Sequence, residues 1–381
     1  MERKKYLKKI AKVVIKIGSS SLTLKNGGLD IEKMKKFVTG VAGLVDSGYE
    51  VIIVTSGAIS AGLHYLGIPV RPKDISTLQA AAAVGQVELM RTYGDLFAER
   101  QQKIGQILLT REDTARRKQY LNIMNTIENL LKLKVIPVIN ENDSVAVEEI
   151  KFGDNDRLAA LVSSITEADL LIILSDIEGL YDKDPQSNQD AKLISFVQKI
   201  TPEIEKIAGG AGSAYSSGGM VSKLKAARIC SFLQIPMVIA SSKTEDILKK
   251  VVNFEQAGTF FAPQAQKKIK SIKRWIAFGM KSKGNIYIDR GAQEAVEEHG
   301  KSVLSVGVAK AEGSFNKGDT VRVYSLDKRL IAKGISNFSA DDIEKIRGKN
   351  EKQILKEHGK QFCCEVIHRD SLVVFDENDY E

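Results

Sequence analysis

Short, nearly unbroken apolar runs alternate with helix-patterned stretches over about the first 260 residues, and this alternation constrains the fold most. The runs lie at 11–17, 51–54, 107–109, 135–139, 170–174 and 235–240. Between them, apolar residues recur at helical spacing, as at 31–45 and 75–100, and the stretch 158–165 is also helix-like. Strands that are apolar on both faces need helices on both sides. The sequence therefore predicts an α/β fold with an open, mostly parallel sheet sandwiched by helices.

The pattern changes after residue 260. A polar, basic stretch comes first and then short strand-like runs at 286–288, 303–308, 320–324 and 330–334, with a turn signal at 316–319. A chain of 381 residues is also long for one domain. We expect an α/β domain over 1–260, a basic linker over 261–281, and a small β-rich domain over 282–381 that ends in an acidic tail.

Composition argues against a membrane, secreted or metal-binding protein and leaves nucleic-acid binding open. No apolar run approaches the roughly 20 residues that span a bilayer, and no leader-like apolar segment follows the basic start, so we expect a cytoplasmic protein without a membrane contact. Three cysteines and four scattered histidines give no metal-ligand spacing and indicate reduced thiols. The net charge of +8 is compatible with nucleic-acid binding, but charge alone favours a solvated surface.

A lysine and a glycine-rich turn follow the first apolar run. Lys16 interrupts that run two residues before Gly18, and Ser19 and Ser20 come next. An open α/β sheet binds its ligands at the carboxyl ends of strands, where a glycine lets backbone N–H groups approach a phosphate. A lysine that merely reaches solvent from a strand end is the alternative. We favour a phosphate-binding loop because the small residues follow at once.

A second loop of small residues opens a helix-like stretch and ends in another lysine. Its members are Ser217, Gly218, Gly219, Met220, Val221, Ser222 and Lys223. A helix N-terminus offers free N–H groups and partial positive charge to an anion. A flexible connection before a helix would look similar. Together, however, the two lysine-bearing loops could hold one nucleoside triphosphate from both sides, which predicts a phosphoryl-transfer enzyme.

Two common nucleotide motifs are absent. Gly300-Lys301-Ser302 ends like a Walker A loop, but Ala295 stands where the leading glycine belongs. Gly210-Ala211-Gly212 begins like a dinucleotide fingerprint, but Tyr215 replaces the last glycine. Neither a P-loop fold nor a dinucleotide-binding dehydrogenase is supported.

Three polar segments follow predicted strands or precede a predicted helix. They are 55–62, the pair 140–143 with 153–156, and 175–185. The first could bind a carboxylate, and the third could surround a nucleotide. Acids at a helix start are often only caps, yet so many carboxylates and amides suit the amino group of a substrate or a hydrated Mg²⁺.

Five segments resemble the amino acid kinase family in the family's own order: VVIKIGSS, VIIVTSGAISAG, VIPVINENDSVAVEEIKFGDNDRLAALV, ADLLIILSDIEGLYDKDP and GGMVSKLKAA. They span nearly all of 11–240 and are most similar to the members that phosphorylate glutamate. The second half, with GNIYIDRGAQEAV and SVLSVGVAKAEGSFNKGDTVRVYS, resembles a PUA domain. The resemblance implies transfer of the ATP γ-phosphate to the side-chain carboxylate of L-glutamate, the first step of proline synthesis.

The resemblance also implies roles for individual residues. Lys16 and Lys223 would contact the phosphates, and Asp156 would orient both lysines as the third catalytic residue. Ser56, Asp143 and Asn155 would bind glutamate. ATP would be bound by Lys16, Gly18, Ser175, Asp176, Ser217, Gly218, Gly219, Met220, Val221, Ser222 and Lys223. No protein ligand of a metal is implied, and Mg²⁺ would accompany ATP.

Further partners follow from the resemblance alone. It implies feedback inhibition by proline, a homodimer or homotetramer, and a transient contact with glutamate-5-phosphate reductase. Two alternatives stay open. One is an RNA-binding protein that acts through the PUA-like half, although this half lacks aromatics interleaved with basic residues. The other is a kinase of the same fold that acts on acetylglutamate, aspartate, carbamate or UMP.

Overall fold

The chain divides into two compact units in the computed structural model, which describes residues 3–6, 10–145, 155–185, 187–208, 219–264, 270–358 and 364–375. One unit comprises Met1–Asp113 with Lys118–Lys267, and the other comprises Thr114–Arg117 with Lys268–Glu381. Within the described residues, no helix is both long enough and apolar enough to cross a bilayer.

Helices and strands alternate along the first two thirds of the chain. The α-helices are α1 Arg3–Tyr6, α2 Ile31–Asp46, α3 Ala58–Tyr65, α4 Ile75–Ala98, α5 Arg111–Ala115, α6 Arg117–Lys132, α7 Asn155–Thr166, α8 Pro202–Ala208, α9 Met220–Phe232, α10 Ile247–Val252, α11 Ser271–Arg274, α12 Arg290–Glu297, α13 Ala340–Ile346 and α14 Glu351–His358. The strands are β1 Lys12–Ile17, β2 Glu50–Val54, β3 Lys103–Leu109, β4 Val135–Glu141, β5 Leu170–Ser175, β6 Phe196–Val197, β7 Met237–Ser241, β8 Thr259–Phe261, β9 Gly284–Ile288, β10 Val303–Leu304, β11 Val308–Gly313, β12 Thr320–Ser325, β13 Leu330–Ile335, β14 Glu365–Ile367 and β15 Leu372–Val374. Single helical turns of other pitch lie at Ser19–Ser21, Trp275–Gly279, Ser305–Gly307 and Arg369–Ser371.

The first unit is built on an eight-stranded sheet among the described residues, in the order β3-β4-β2-β1-β5-β7-β8-β6. Neighbouring strands are parallel except β7 and β8. The central strands β1 and β5 are almost wholly buried, as their unbroken apolar sequence requires. The predicted α/β architecture is therefore confirmed. Its parallel strands place the loops after β1, β2, β4 and β5 at one edge of the sheet.

Local sequence signals set the helices of this unit. Asp30 and Asp74 precede α2 and α4, and each side chain accepts a hydrogen bond from a backbone N–H in the first turn. Met34, Val38 and Val41 recur at helical spacing on α2 and lie buried against the sheet. The caps fix where the helices begin, and the apolar face fixes how they pack.

Helices α3 and α4 approach each other through two glycines. A Cβ atom added at Gly62 would lie 1.8 Å from the carbonyl oxygen of Ala81, and one added at Gly85 would lie 1.8 Å from that of Ala58. Only glycine allows backbones this close. This contact fixes the start of α3, which directly follows Ser56 and Gly57.

The second unit is rich in strands, as expected, but it also contains helices α12, α13 and α14, which the strand pattern did not predict. Its sheets are a five-stranded one in the order β11-β9-β12-β13-β15 and a two-stranded one of β10 and β14. The predicted strand over 303–308 is wrong as a single element, because a 3₁₀ turn at Ser305–Gly307 divides it. Gly307 lies tightly against Ala292 there, since a Cβ atom at Gly307 would be 2.4 Å from the Ala292 Cβ.

Candidate active site

One buried carboxylate contacts both of the lysines singled out in the sequence. The Nζ atom of Lys16 lies 2.6 Å from Oδ1 of Asp156, and that of Lys223 lies 3.1 Å from Oδ2. Asp156 is fully buried, and the lysine side chains are 7% and 5% exposed. The structure thus brings these three residues together from β1, α7 and α9.

The fold explains why these residues meet. Lys16 is the last residue but one of the central strand β1, whose neighbours are β2 and β5. Asp156 lies in the first turn of α7, and Lys223 lies in the first turn of α9. Two helix N-termini and one strand end therefore converge, and both helix N-termini favour negative charge nearby.

Electrostatics in the cluster favour an ionised Asp156. Burial alone would raise the pKa of this carboxyl, but the charges of Lys16 and Lys223 and their hydrogen bonds outweigh that effect and lower the pKa below its ordinary value. Among the described residues, two buried ammonium groups face this one carboxylate. An incoming anion such as a phosphate would interact favourably with both ammonium groups.

The two glycine-bearing loops border this cluster. A Cβ atom at Gly18 would lie 3.5 Å from the Nζ atom of Lys16. Gly219 directly precedes α9 and has no side chain that could cap the helix start. Of the second loop, Gly219, Met220, Val221, Ser222 and Lys223 are described, whereas Ser217 and Gly218 lie outside the described residues.

Ser175 and Asp176 lie at the same sheet edge. Strand β5 pairs with β1 so that Leu174 faces Ile17, which places Ser175 beside Gly18. The Ser175 hydroxyl is buried and donates to Oδ1 of the exposed Asp176 at 3.1 Å. Both residues therefore border the loop that follows β1.

Amide side chains form a second cluster around Asn155, the first residue of α7. The Nδ2 atom of Asn155 donates to the carbonyl oxygen of Thr55, to Oγ of Ser56 at 2.8 Å and to Oδ1 of Asn140 at 3.0 Å. The Nδ2 atom of Asn140 donates to Oε1 of Gln86 at 2.8 Å. Because Asn155 and Asp156 are consecutive, the amide cluster and the lysine cluster share the first turn of α7.

The structure thus places Ser56 and Asn155, two of the residues expected to bind glutamate, within hydrogen-bond distance of each other. Asp143 lies half-buried two residues beyond β4, at the same sheet edge.

Two polar residues of α4 near the site, Gln86 and Tyr93, were not predicted from the sequence. The Tyr93 hydroxyl lies 3.0 Å from Oγ1 of Thr55, and burial raises its pKa, so it stays protonated. A signal existed, because Gln86 is a polar residue at the helical spacing of the buried Ala82 and Leu89.

The part of the site that the structure describes contains no cluster of metal ligands. Among the described parts of the chain, no three His, Cys, Asp or Glu side chains are grouped so that they could hold a metal ion. The buried carboxylate of the cluster, Asp156, is engaged by two ammonium groups. Mg²⁺ often keeps several waters and binds through substrate phosphates, so a nucleotide can bring the ion with it.

Comparison with known proteins identifies the family of each part of the chain. The model of the amino acid kinase family matches residues 11–241, and that of the PUA domain matches residues 284–358. The glutamate 5-kinase of Caldanaerobacter subterraneus subsp. tengcongensis is 48% identical over 365 residues, which cover 96% of this chain and 98% of that protein. The glutamate 5-kinase of Thermoanaerobacter sp. (strain X514) is 47% identical over the same shares.

A UMP kinase structure from Ureaplasma parvum aligns with a TM-score of 0.46 and 12% identity, over 67% of this chain and 99% of that one. That likeness is too weak to support a statement about function, and the assignment follows from the sequence matches. This chain belongs to the amino acid kinase family, is a kinase, and carries a PUA domain in its second half.

Proposed function

We propose that the protein transfers the γ-phosphoryl group of ATP to the side-chain carboxylate of L-glutamate. The relatives that match nearly its whole length are named glutamate 5-kinase. The observation that carries the proposal is the position of Asp156 between the ammonium groups of Lys16 and Lys223. That arrangement holds two cations at the sheet edge that both glycine loops border.

The reaction needs no general base. The side-chain carboxyl of free glutamate has a pKa of about 4.3, so it is already a nucleophilic anion at neutral pH. One of its oxygens attacks the γ-phosphorus, the bond from that phosphorus to the β,γ-bridging oxygen breaks, and ADP leaves with the electron pair. The protein must position the two reactants in line and neutralise the negative charge on the transferred phosphoryl group. Lys16 and Lys223 supply the neutralising positive charge, and Asp156 holds both lysines in place.

Each loop has a part in this proposal. ATP is bound by Lys16, Gly18, Ser175, Asp176 and the segment 217–223, and Mg²⁺ arrives on its phosphates. Ser56, Asp143 and Asn155 bind glutamate. The amide cluster lies on the side of Asn155, away from the lysines, and therefore suits the α-carbon end of the substrate.

The biological setting belongs to the same proposal. The product is a labile acyl phosphate, which suits the first step of proline synthesis in the cytoplasm and a direct handover to glutamate-5-phosphate reductase. Proline would inhibit at or near the glutamate site, and the enzyme would act as a homodimer or homotetramer. The kinase domain would span 1–260, a basic linker 261–281 and the PUA-like domain 282–381, boundaries that the family matches at 11–241 and 284–358 support.

An ATP-dependent hydroxamate assay tests the proposal, because hydroxylamine traps acyl phosphates. The purified protein is offered L-glutamate, N-acetyl-L-glutamate or L-aspartate, each with and without proline, and ADP release with UMP is followed in parallel. We expect turnover with L-glutamate alone and its suppression by proline. Turnover with another acceptor and none with glutamate would overturn the substrate assignment.

A further inference from the structure

Two backbone groups fix the orientation of three buried amides in the first unit. The N–H of Glu141 can only donate, and it donates to Oδ1 of Asn140 at 2.9 Å. The Nδ2 atom of Asn140 must therefore face Gln86, which presents Oε1 to it. The carbonyl oxygen of Thr55 can only accept, so it faces Nδ2 of Asn155. Exchanging the oxygen and nitrogen of any of these three amides by a 180° flip would break one of these hydrogen bonds.

With the amides oriented in this way, one donor and one acceptor have no partner among the described residues, and they lie at opposite ends of the hydrogen-bonded chain of amides. The Nε2 atom of Gln86 and the Oδ1 atom of Asn155 are both buried and have no hydrogen-bond partner among the described residues. Gln86 is 9% exposed and Asn155 is 6% exposed. Buried polar atoms without partners cost free energy, so such a pair calls for a ligand that offers an acceptor to one and a donor to the other.

Gln86 lies beside the turn that contains Ser56. The preceding residue, Gly85, packs so tightly on Ala58 that a Cβ atom there would lie 1.8 Å from its carbonyl oxygen. The amides also lead away from the lysines, since Asn140 is the last residue but one of β4, which is separated from β1 by β2. Two strand spacings amount to about 10 Å, a span that suits an extended five-carbon amino acid with a hydrogen bond at each end.

We propose that Gln86 is a specificity-determining residue, whose Nε2 donates a hydrogen bond to the α-carboxylate of the amino acid substrate. Oδ1 of Asn155 then accepts from the α-ammonium group, and the γ-carboxylate points toward Lys16 and Lys223. The inference rests on the proposed glutamate kinase activity. It assigns to α4 the recognition of the substrate end that does not react.

Truncated substrates separate this role from a structural one. 4-Aminobutyrate is glutamate without the α-carboxylate, and glutarate is glutamate without the α-ammonium group. Their inhibition constants against L-glutamate are measured for the unchanged protein, for Gln86→Leu and for Gln86→Glu, which keeps the acceptor for Asn140 but loses the donor. Gln102→Leu serves as the control, because the Gln102 amide donates to Ala42 and Asp46 near the end of α2.

We expect both Gln86 variants to raise the KM for L-glutamate by about 10- to 100-fold, the loss of one hydrogen bond to a charged group. The inhibition constant of 4-aminobutyrate should stay within about threefold, since that ligand makes no such bond, while that of glutarate rises with the KM. Equal changes for all three ligands, or a KM that moves no more than in Gln102→Leu, would overturn the inference. An unchanged protein that does not phosphorylate glutamate would instead refute the proposed function. If Gln86→Leu does not fold, the comparison is made with Gln86→Glu.

Discussion

Lys16 and Asp156 form an ion pair of 2.6 Å in which both side chains are buried. The second carboxylate oxygen of Asp156 faces Lys223, so one residue of α7 holds a strand lysine and a helix lysine in a fixed relation. Breaking a buried pair by removing one partner leaves uncompensated charge in the interior. The stability of the first unit should therefore depend on Asp156.

The first prediction concerns pH. The folded pKa of Asp156 lies below its ordinary value, so the stability that it contributes is complete above the unfolded pKa of about 3.9 and is lost as the pH falls through the folded pKa. We expect Asp156→Asn to lower the free energy of unfolding by about 3–5 kcal/mol at pH 7. Urea unfolding of both proteins between pH 7 and pH 3 checks this, and the difference should shrink in acid. A difference that widens below pH 4 would contradict it.

The second prediction separates catalysis from binding. Lys223→Ala should lower kcat by about 10²- to 10³-fold, the usual loss when one charge-stabilising donor is removed, and weaken ATP binding by less than about tenfold, since the loop N–H groups remain. Lys225→Ala on the exposed side of the same helix is the matched control. Steady-state kinetics and calorimetric titration of ATP measure the two effects. An unchanged kcat would refute the catalytic role of Lys223.

The third prediction compares two glycines of α4. Gly85→Ala places a methyl group against the Ala58 carbonyl oxygen and should destabilise the protein by about 1–3 kcal/mol, and it should raise the KM for glutamate because α3 begins just after Ser56. Gly94→Ala, with nothing within 4 Å of the added Cβ, should stabilise by about 0.5–1 kcal/mol. Thermal unfolding and glutamate kinetics test both. Equal effects at the two positions would show that the helix contact is unimportant.

The sheet and the lysine loops could be predicted because their signals are local. Val13, Val14 and Ile15 form an unbroken apolar run, which buried parallel strands require, and Gly18 follows at the strand end. The start of α7 was placed too late, at residue 158 rather than Asn155, since its first residues are polar and lack helical periodicity. Strand β3 starts earlier than expected, at Lys103, because an edge strand tolerates exposed polar residues.

Other features depend on contacts that no local pattern contains. Gln86 reads as a polar interruption of an alanine-rich helix, and its bond to Asn140 on β4 exists only in the folded chain. In the second unit, the sequence does contain an N-cap signal for α13, because the side chain of Ser339 accepts a hydrogen bond from the backbone N–H of Asp342. The surrounding pattern of short strands led us to expect a β-rich domain there instead.

We expect Lys16 and Lys223 to bind the γ-phosphoryl group together while it is transferred. A crystal structure of the protein with L-glutamate and a non-hydrolysable ATP analogue shows whether they do. Both Nζ atoms should lie within about 2.7–3.2 Å of γ-phosphate oxygens, with the glutamate side-chain carboxylate in line with the γ-phosphorus. A complex in which either ammonium group lies beyond reach of the triphosphate, with the loops closed over both ligands, would contradict it.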